Sequence, residues 1–212
     1  MKTTLLIFLF CFASLAFCDQ DWVYMTRDEK VGQFQLSTKG KLQYGGATFD
    51  NFALDAKANK LAISPFSPDG KYSVLFSFGQ IPQCAILQID RHSASAISMD
   101  GTPVVWYSWS TEGQYLLLSS YTDQENNLYS VALGSLQARK IPITLQKSGE
   151  TTELDTTTVT WASPNTFVME AFIHCASCDS REQEKVIRSY KLNVNAETLE
   201  VKPEEQALKG EE

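Results

Sequence analysis

Histidine is almost missing from this chain of 212 residues: His92 and His174 are the only two. Activation of a serine or cysteine nucleophile needs a base within hydrogen-bond reach, and a glycine-x-serine-x-glycine turn is also lacking. No candidate catalytic residue emerges. No loop of alternating aspartates suits calcium, and no glycine-rich loop suits a phosphate or nucleotide cofactor. Positive charge is scarce as well, with 18 lysines and arginines against 25 acids. There is no basic stripe interleaved with aromatics, so binding to nucleic acid is excluded. A 3.6-residue apolar period never lasts beyond two turns, so no amphipathic helix is expected. Beyond the first eighteen residues no apolar run approaches membrane-spanning length. Cysteine is sparse too: Cys11 and Cys18 stand near the start, and Cys84, Cys175 and Cys178 follow.

The first eighteen residues are of a different kind. Lys2 supplies a positive end, and Leu5 to Phe17 is an apolar run interrupted only by Cys11 and Ser14. That run is short for a membrane span and has the form of a signal-peptide core. Small residues permit cleavage after Ala16 or after Cys18; an uncleaved anchor or a lipid on Cys18 is the alternative. Loss of residues 1–18 removes one lysine and no acid, so the formal charge of −7 becomes −8. The expected location is secreted or otherwise extracytoplasmic, in a secretory pathway or periplasm, with no transmembrane segment in the mature chain.

What the chain has in quantity is short alternating strands between turns. Trp109-Ser110-Thr111-Glu112-Gly113-Gln114-Tyr115 leads into Leu116 to Ser120, and it has an earlier relative in Phe66-Ser67-Pro68-Asp69-Gly70-Lys71-Tyr72. A later relative is Trp161-Ala162-Ser163-Pro164-Asn165-Thr166-Phe167, which lacks the glycine. Each reads as an aromatic, a polar turn and an apolar strand. The alternation sets Tyr72, Val74 and Phe76, then Tyr115 and Leu117, then Phe167 and Met169 in matching positions. A second strand recurs after each: Ile86 to Ile89, Leu128 to Leu133, and Ile187 to Leu192. Two strands in fixed order at a period of about 40 to 50 residues are the pattern of propeller blades. Phe66, Trp109 and Trp161 are then expected to be buried at equivalent places, with Gly70, Gly113 and Asn165 in left-handed backbone.

Through Phe66 to Tyr72 with Ile86 to Asp90, and Trp109-Ser110 with Leu128 to Val131, residues 60–193 resemble the blade repeat of TolB-type, WD40-like propellers. The resemblance implies a scaffold and no chemistry. The fold class is all-β, a propeller-like array of about four antiparallel four-stranded units, with a β-sandwich or barrel as the alternative. Residues 19–201 form the single domain. The first unit takes strands at 22–26, 32–37 and 41–44, with 52–55 as its outer strand. The acidic tail 202–212 is expected to be disordered.

The most chemical-looking stretch is His174-Cys175-Ala176-Ser177-Cys178-Asp179 on the loop between the last two recurring strands. In an exported chain its default reading is a disulfide, Cys175–Cys178 or one of these with Cys84. A redox pair would want a helix N-terminus. A metal site at His174, Cys175 and Cys178 would need a fourth ligand from Cys84 or His92. His92 reads as a surface residue at a strand end. The tryptophans read as core packing in preference to a sugar platform, and Trp106 and Tyr107 must point to opposite faces. The functional expectation is an exported, non-enzymatic module binding a protein or glycan partner. The alternatives are a hydrolase or lyase on the same scaffold, or a redox or metal-handling protein working through Cys175 and Cys178.

Overall fold

The computed structural model describes residues 21–79, 83–100, 106–121, 126–141, 150–175, 183–195 and 198–204. The leader, residues 1–18, lies outside them, and so does Cys178. Among the described residues every regular element is a strand. In chain order these are β1 (Val23–Thr26), β2 (Glu29–Val31), β3 (Phe34–Leu36), β4 (Leu42–Tyr44) and β5 (Ala47–Thr48). Then follow β6 (Lys60–Ile63), β7 (Tyr72–Phe78), β8 (Gln83–Gln88) and β9 (Ser93–Ala96). After these come β10 (Tyr107–Trp109), β11 (Tyr115–Tyr121), β12 (Asn126–Ala132) and β13 (Gln137–Lys140). The last four are β14 (Glu150–Ser163), β15 (Thr166–Cys175), β16 (Gln183–Asn195) and β17 (Thr198–Glu204).

They make four small antiparallel sheets: β2-β3-β4-β5, β1-β6-β7-β8-β9, β10-β11-β12-β13 and β14-β15-β16-β17. The all-β, propeller-like array of the sequence reading is therefore present, with one sheet five-stranded and, among the described residues, no closed barrel. Three apolar layers join the sheets in chain order. Leu36 and Leu42 of the first sheet meet Leu61, Ile63 and Leu75 of the second. Val74 and Ile86 of the second meet Leu116, Leu118 and Val131 of the third. Leu117 and Leu128 of the third meet Phe167, Met169, Tyr190 and Leu192 of the fourth. The middle sheets are thus buried on both faces, which is why Ser73, Leu75 and Ser77 are buried as well as Val74 and Phe76. Each aliphatic side chain so removed from water contributes about 1.5–3 kcal/mol. The small buried hydroxyls are satisfied: Ser73 Oγ donates to Ser64 O at 2.7 Å, and Ser64 Oγ accepts from Val74 N at 2.9 Å. Trp106 and Tyr107 do point to opposite faces, and both are buried because a sheet packs on either side.

The beginning of the chain differs from the sequence reading. β1 does not join the first unit; it pairs with β6 of the second sheet, Met25 opposite Leu61. Glu29 and Lys30, between the strands expected at 22–26 and 32–37, lie in β2. Phe52 to Asp55 form no outer strand, because the Arg27 guanidinium holds that segment as a loop. It donates to Thr38 O at 2.9 Å, Asp55 O at 2.8 Å, Ala58 O at 3.2 Å and Leu54 O at 3.3 Å. The loop still buries Phe52, Leu54 and Ala58. At the far end β17 runs on to Glu204, pairing Lys202 with Lys191.

The third turn is also offset. Trp109 pairs with Leu116, whereas Trp161 pairs with Phe167, one residue fewer between aromatic and strand. Without the glycine, Pro164 and Asn165 alone span from Ser163 to Thr166. The strand therefore enters one residue early, and a one-residue slip turns every side chain to the opposite face. Phe167 and Met169 match Leu116 and Leu118, not Tyr115 and Leu117, and they pack back onto the third sheet.

Candidate functional site

The turns at one end of the stack bring the repeat's special residues together. Gly70 and Gly113 have φ of 73° and 66°, as the turn chemistry demands. The left-handed backbone expected at Asn165 is absent: it is not among the residues with positive φ, and its turn is the shorter one from Ser163 to Thr166. The first two turns also touch: a Cβ on Gly113 would lie 3.2 Å from the Asp69 carboxylate carbon. Asp69 is itself fixed, accepting from Ser67 Oγ at 2.6 Å and from Lys71 N at 3.2 Å. Burial opposes its ionisation, but those two hydrogen bonds and the Lys71 ammonium outweigh it and hold the carboxyl below its ordinary range.

Phe66, Trp109 and Trp161 occupy equivalent places, each wedged between its own sheet and the preceding one, but they are not fully buried. Phe66 is 39 % exposed and rests edge-on against Tyr44, with ring centroids 5.7 Å apart. Trp109 and Trp161 are half-buried. The Trp161 indole donates to Ser108 Oγ at 3.0 Å, tying the fourth sheet to the third. A second exposed aromatic, Tyr24 at 42 %, stands on β1 with the Lys60 ammonium 4.3 Å above its ring. The same ammonium lies 5.6 Å from the Phe78 ring, an exposed cation–π arrangement. The sequence did not bring Tyr24, Lys60 and Phe78 together, because it assigned 22–26 to another sheet. The strand itself was read at 22–26, and only its pairing partner β6 was missing.

The cysteines are dispersed. Cys84 is a free, buried thiol on β8 in the layer between the second and third sheets. Burial pushes its pKa up to about 12, so it is not poised as a nucleophile or metal ligand. The third sheet stands between it and β15, which ends with His174 and Cys175. In the sheet ladder Cys175 is opposite Glu150 and His174 is opposite Gln183, at the mouth of the loop whose remainder lies outside the described residues. His92, the other ligand candidate, sits in the turn between β8 and β9 with φ of 48°. Its carbonyl accepts from Asp50 N at 2.7 Å and its ring packs on Phe49, so it serves the joint between the first two sheets. Among the described residues no three His, Cys, Asp or Glu side chains gather as a metal cluster.

Neither a family model nor a curated protein matches this chain. Solved structures do resemble it at low identity. TolB from Agrobacterium tumefaciens is 12 % identical over 77 % of this chain and 73 % of its own, with a TM-score of 0.35. TolB from Acinetobacter baumannii is 12 % identical over 70 % and 47 %, at 0.32. KlHsv2 carrying a Gly-Ser linker in place of its loop 6CD is 12 % identical over 84 % and 57 %, at 0.38. The chain therefore spans about half the length of the last two.

Proposed function

We propose that this chain is an exported, non-enzymatic binding module whose partner is a protein or a glycan. The observation that carries the reading is the pair of exposed rings, Phe66 and Tyr24, which stand out from the buried core residues of the sheets. Aromatic side chains in such positions are the residues that interfaces draw on. The stacked sheets beneath them supply a rigid support, and the apolar leader Leu5 to Phe17 supports export. On the loop after β15 we propose a local Cys175–Cys178 disulfide that shapes a contact surface.

The test is recovery of the processed protein from the extracytoplasmic fraction, followed by capture of its partner with wild type and with a Phe66→Ala, Tyr24→Ala double variant. The reading expects an N-terminus after Ala16 or Cys18 and a partner captured by wild type but lost with the folded double variant. Retention inside the cell with residues 1–18 intact would contradict export. Equal capture by the double variant would contradict the role of the rings.

A further inference from the structure

The three joints between sheets are filled by equivalent aromatics, but not equally well. Trp109 and Trp161 are half-buried in the apolar layers of the second and third joints. Phe66, at the first joint, is the exposed one of the three. A phenyl ring spans less of a joint than an indole, and it has no polar atom to be tied down as Trp161 is by Ser108.

The first joint lies wholly among described residues, so its surroundings can be read. Phe34 and Tyr44 are opposite one another in the first sheet, with ring centroids 4.8 Å apart. Phe66 stands at 85° to Tyr44, 5.7 Å away, and 6.1 Å from Phe34. Phe34 is buried and Tyr44 half-buried, so Tyr44 and Phe66 are the two walls of a corner that reaches solvent. Gln33 borders that corner and is exposed. Its carbonyl accepts from Gly45 N at 3.1 Å, and its Oε1 lies 3.7 Å from where a Cβ on Gly45 would stand. Gly45 and Gly46, the next two residues after Tyr44, have no side chains to cover its ring.

None of these residues is charged, nor are the exposed Pro65 and Pro68 beside Phe66, on a chain that is 20 % charged. The first charged side chains after Phe66, Asp69 and Lys71, pair with each other at 3.4 Å. An ionic ligand would meet no counter-charge in these turns, so the surface suits a neutral one. A polyproline segment docks along a groove lined by aromatics. Two rings at a right angle instead offer a face and an edge to a compact ring. A pyranose with axial ring hydrogens presents a C–H face to an aromatic and hydroxyls at its rim. The Gln33 amide can both donate to and accept from those hydroxyls. An apolar surface with a few placed polar groups is the usual make-up of a small-ligand site.

We infer that the corner between Phe66 and Tyr44 binds a neutral, β-linked sugar, with a pyranose ring stacked on Phe66 and its hydroxyls held by Gln33. This rests on the binding-module reading and narrows the partner to a glycan.

The experiment uses the processed full-length protein with cellotetraose and chitotetraose, whose rings carry axial hydrogens on both faces, and with an octaproline peptide. Titration calorimetry reads affinity, and saturation-transfer NMR reads which sugar protons touch the protein. Expected is binding of at least one sugar, with saturation strongest at ring C–H protons, and none of octaproline. Affinity should fall about tenfold or more in Phe66→Ala and less steeply in Gln33→Ala, both folded by circular dichroism. Binding of neither sugar, affinity unchanged in either variant, or octaproline bound in place of sugar overturns the inference. If neither sugar binds but the captured partner of the exported protein is lost with Phe66→Ala, the sugar inference falls while the binding-module reading stands.

Discussion

Arg27 holds four carbonyls, those of Leu54 and Asp55 in the segment the sequence reads as a strand and those of Ala58 and Thr38 beside it, with no carboxylate among those contacts. A planar fork can reach several acceptors at once, whereas an ammonium cannot reproduce that geometry. Arg27→Lys is therefore expected to cost about 2 kcal/mol or more in urea unfolding, since hydrogen bonds to charged groups contribute about 1.5–3 kcal/mol each. An unchanged midpoint would show that Phe52, Leu54 and Ala58 seat the loop unaided. The paired turns give a finer contrast. Gly70 and Gly113 share a positive φ, but a Cβ at 70 meets nothing within 4 Å while one at 113 presses on Asp69. Gly70→Ala should cost about 1 kcal/mol and Gly113→Ala more. Equal losses would mean that Asp69 moves aside freely. Because the Asp69 carboxyl is depressed in the folded state, its contribution is present above the ordinary aspartate pKa of about 3.9 and is lost as pH falls through the lower, folded value. Asp69→Asn should flatten the fall in melting temperature on acidification in that range. The Asp-Gly turn was legible in the sequence; that the neighbouring turn leans on its carboxylate was not, because contacts between sheets leave no mark on local spacing.

At the scale of elements, the strands that fill the two middle sheets could be read from alternation and repetition, since Leu117 repeats Val74 and Leu128 repeats Ile86, each pair packing toward the sheet that follows. Two features escaped. β1 lies next in sequence to the first sheet yet pairs with β6, and four residues carry too little pattern to choose a partner. The third turn shares an aromatic with both relatives and a proline with the first, but its turn is a residue shorter, so the face assignment of Phe167 and Met169 reversed. Asn165→Gly is accordingly expected to yield no stabilisation and to cost up to about 1 kcal/mol, because glycine's added freedom in the unfolded chain meets no positive φ in the folded one. A rise in melting temperature would restore the equivalence of the three turns. For the loop after β15, a Cys175–Cys178 bridge would close a very short ring. Its effect should fall below the ~2–4 kcal/mol typical of longer loops. Peptide mass mapping before and after reduction, with the double serine variant melting close to wild type, is the expected result. Rapid alkylation of both thiols in the unreduced protein would contradict it.

At the scale of the molecule, the two terminal sheets are built to face water. Lys30, Gln35, Gln43 and Thr48 form one cross-strand row on the first sheet, turned away from its core. Gln43 Nε2 donates to Thr48 Oγ1 within that row at 3.1 Å. On the fourth sheet the exposed residues include Thr160, Ala162, Lys191 and Asn193, opposite in phase to Phe167, Tyr190 and Leu192. Repeats that end a stack characteristically carry a polar outer face. The account is of four propeller-like sheets joined by three apolar layers and ending in water. A closed ring would instead press the first sheet on the fourth at the packing distance of about 10 Å. Spin labels carried by unnatural amino acids at Gln35 and Lys191 measure that separation directly by pulsed electron resonance. The stack predicts a distance beyond about 20 Å, since two further sheets intervene. A sharp distribution near the spacing of packed sheets would contradict it.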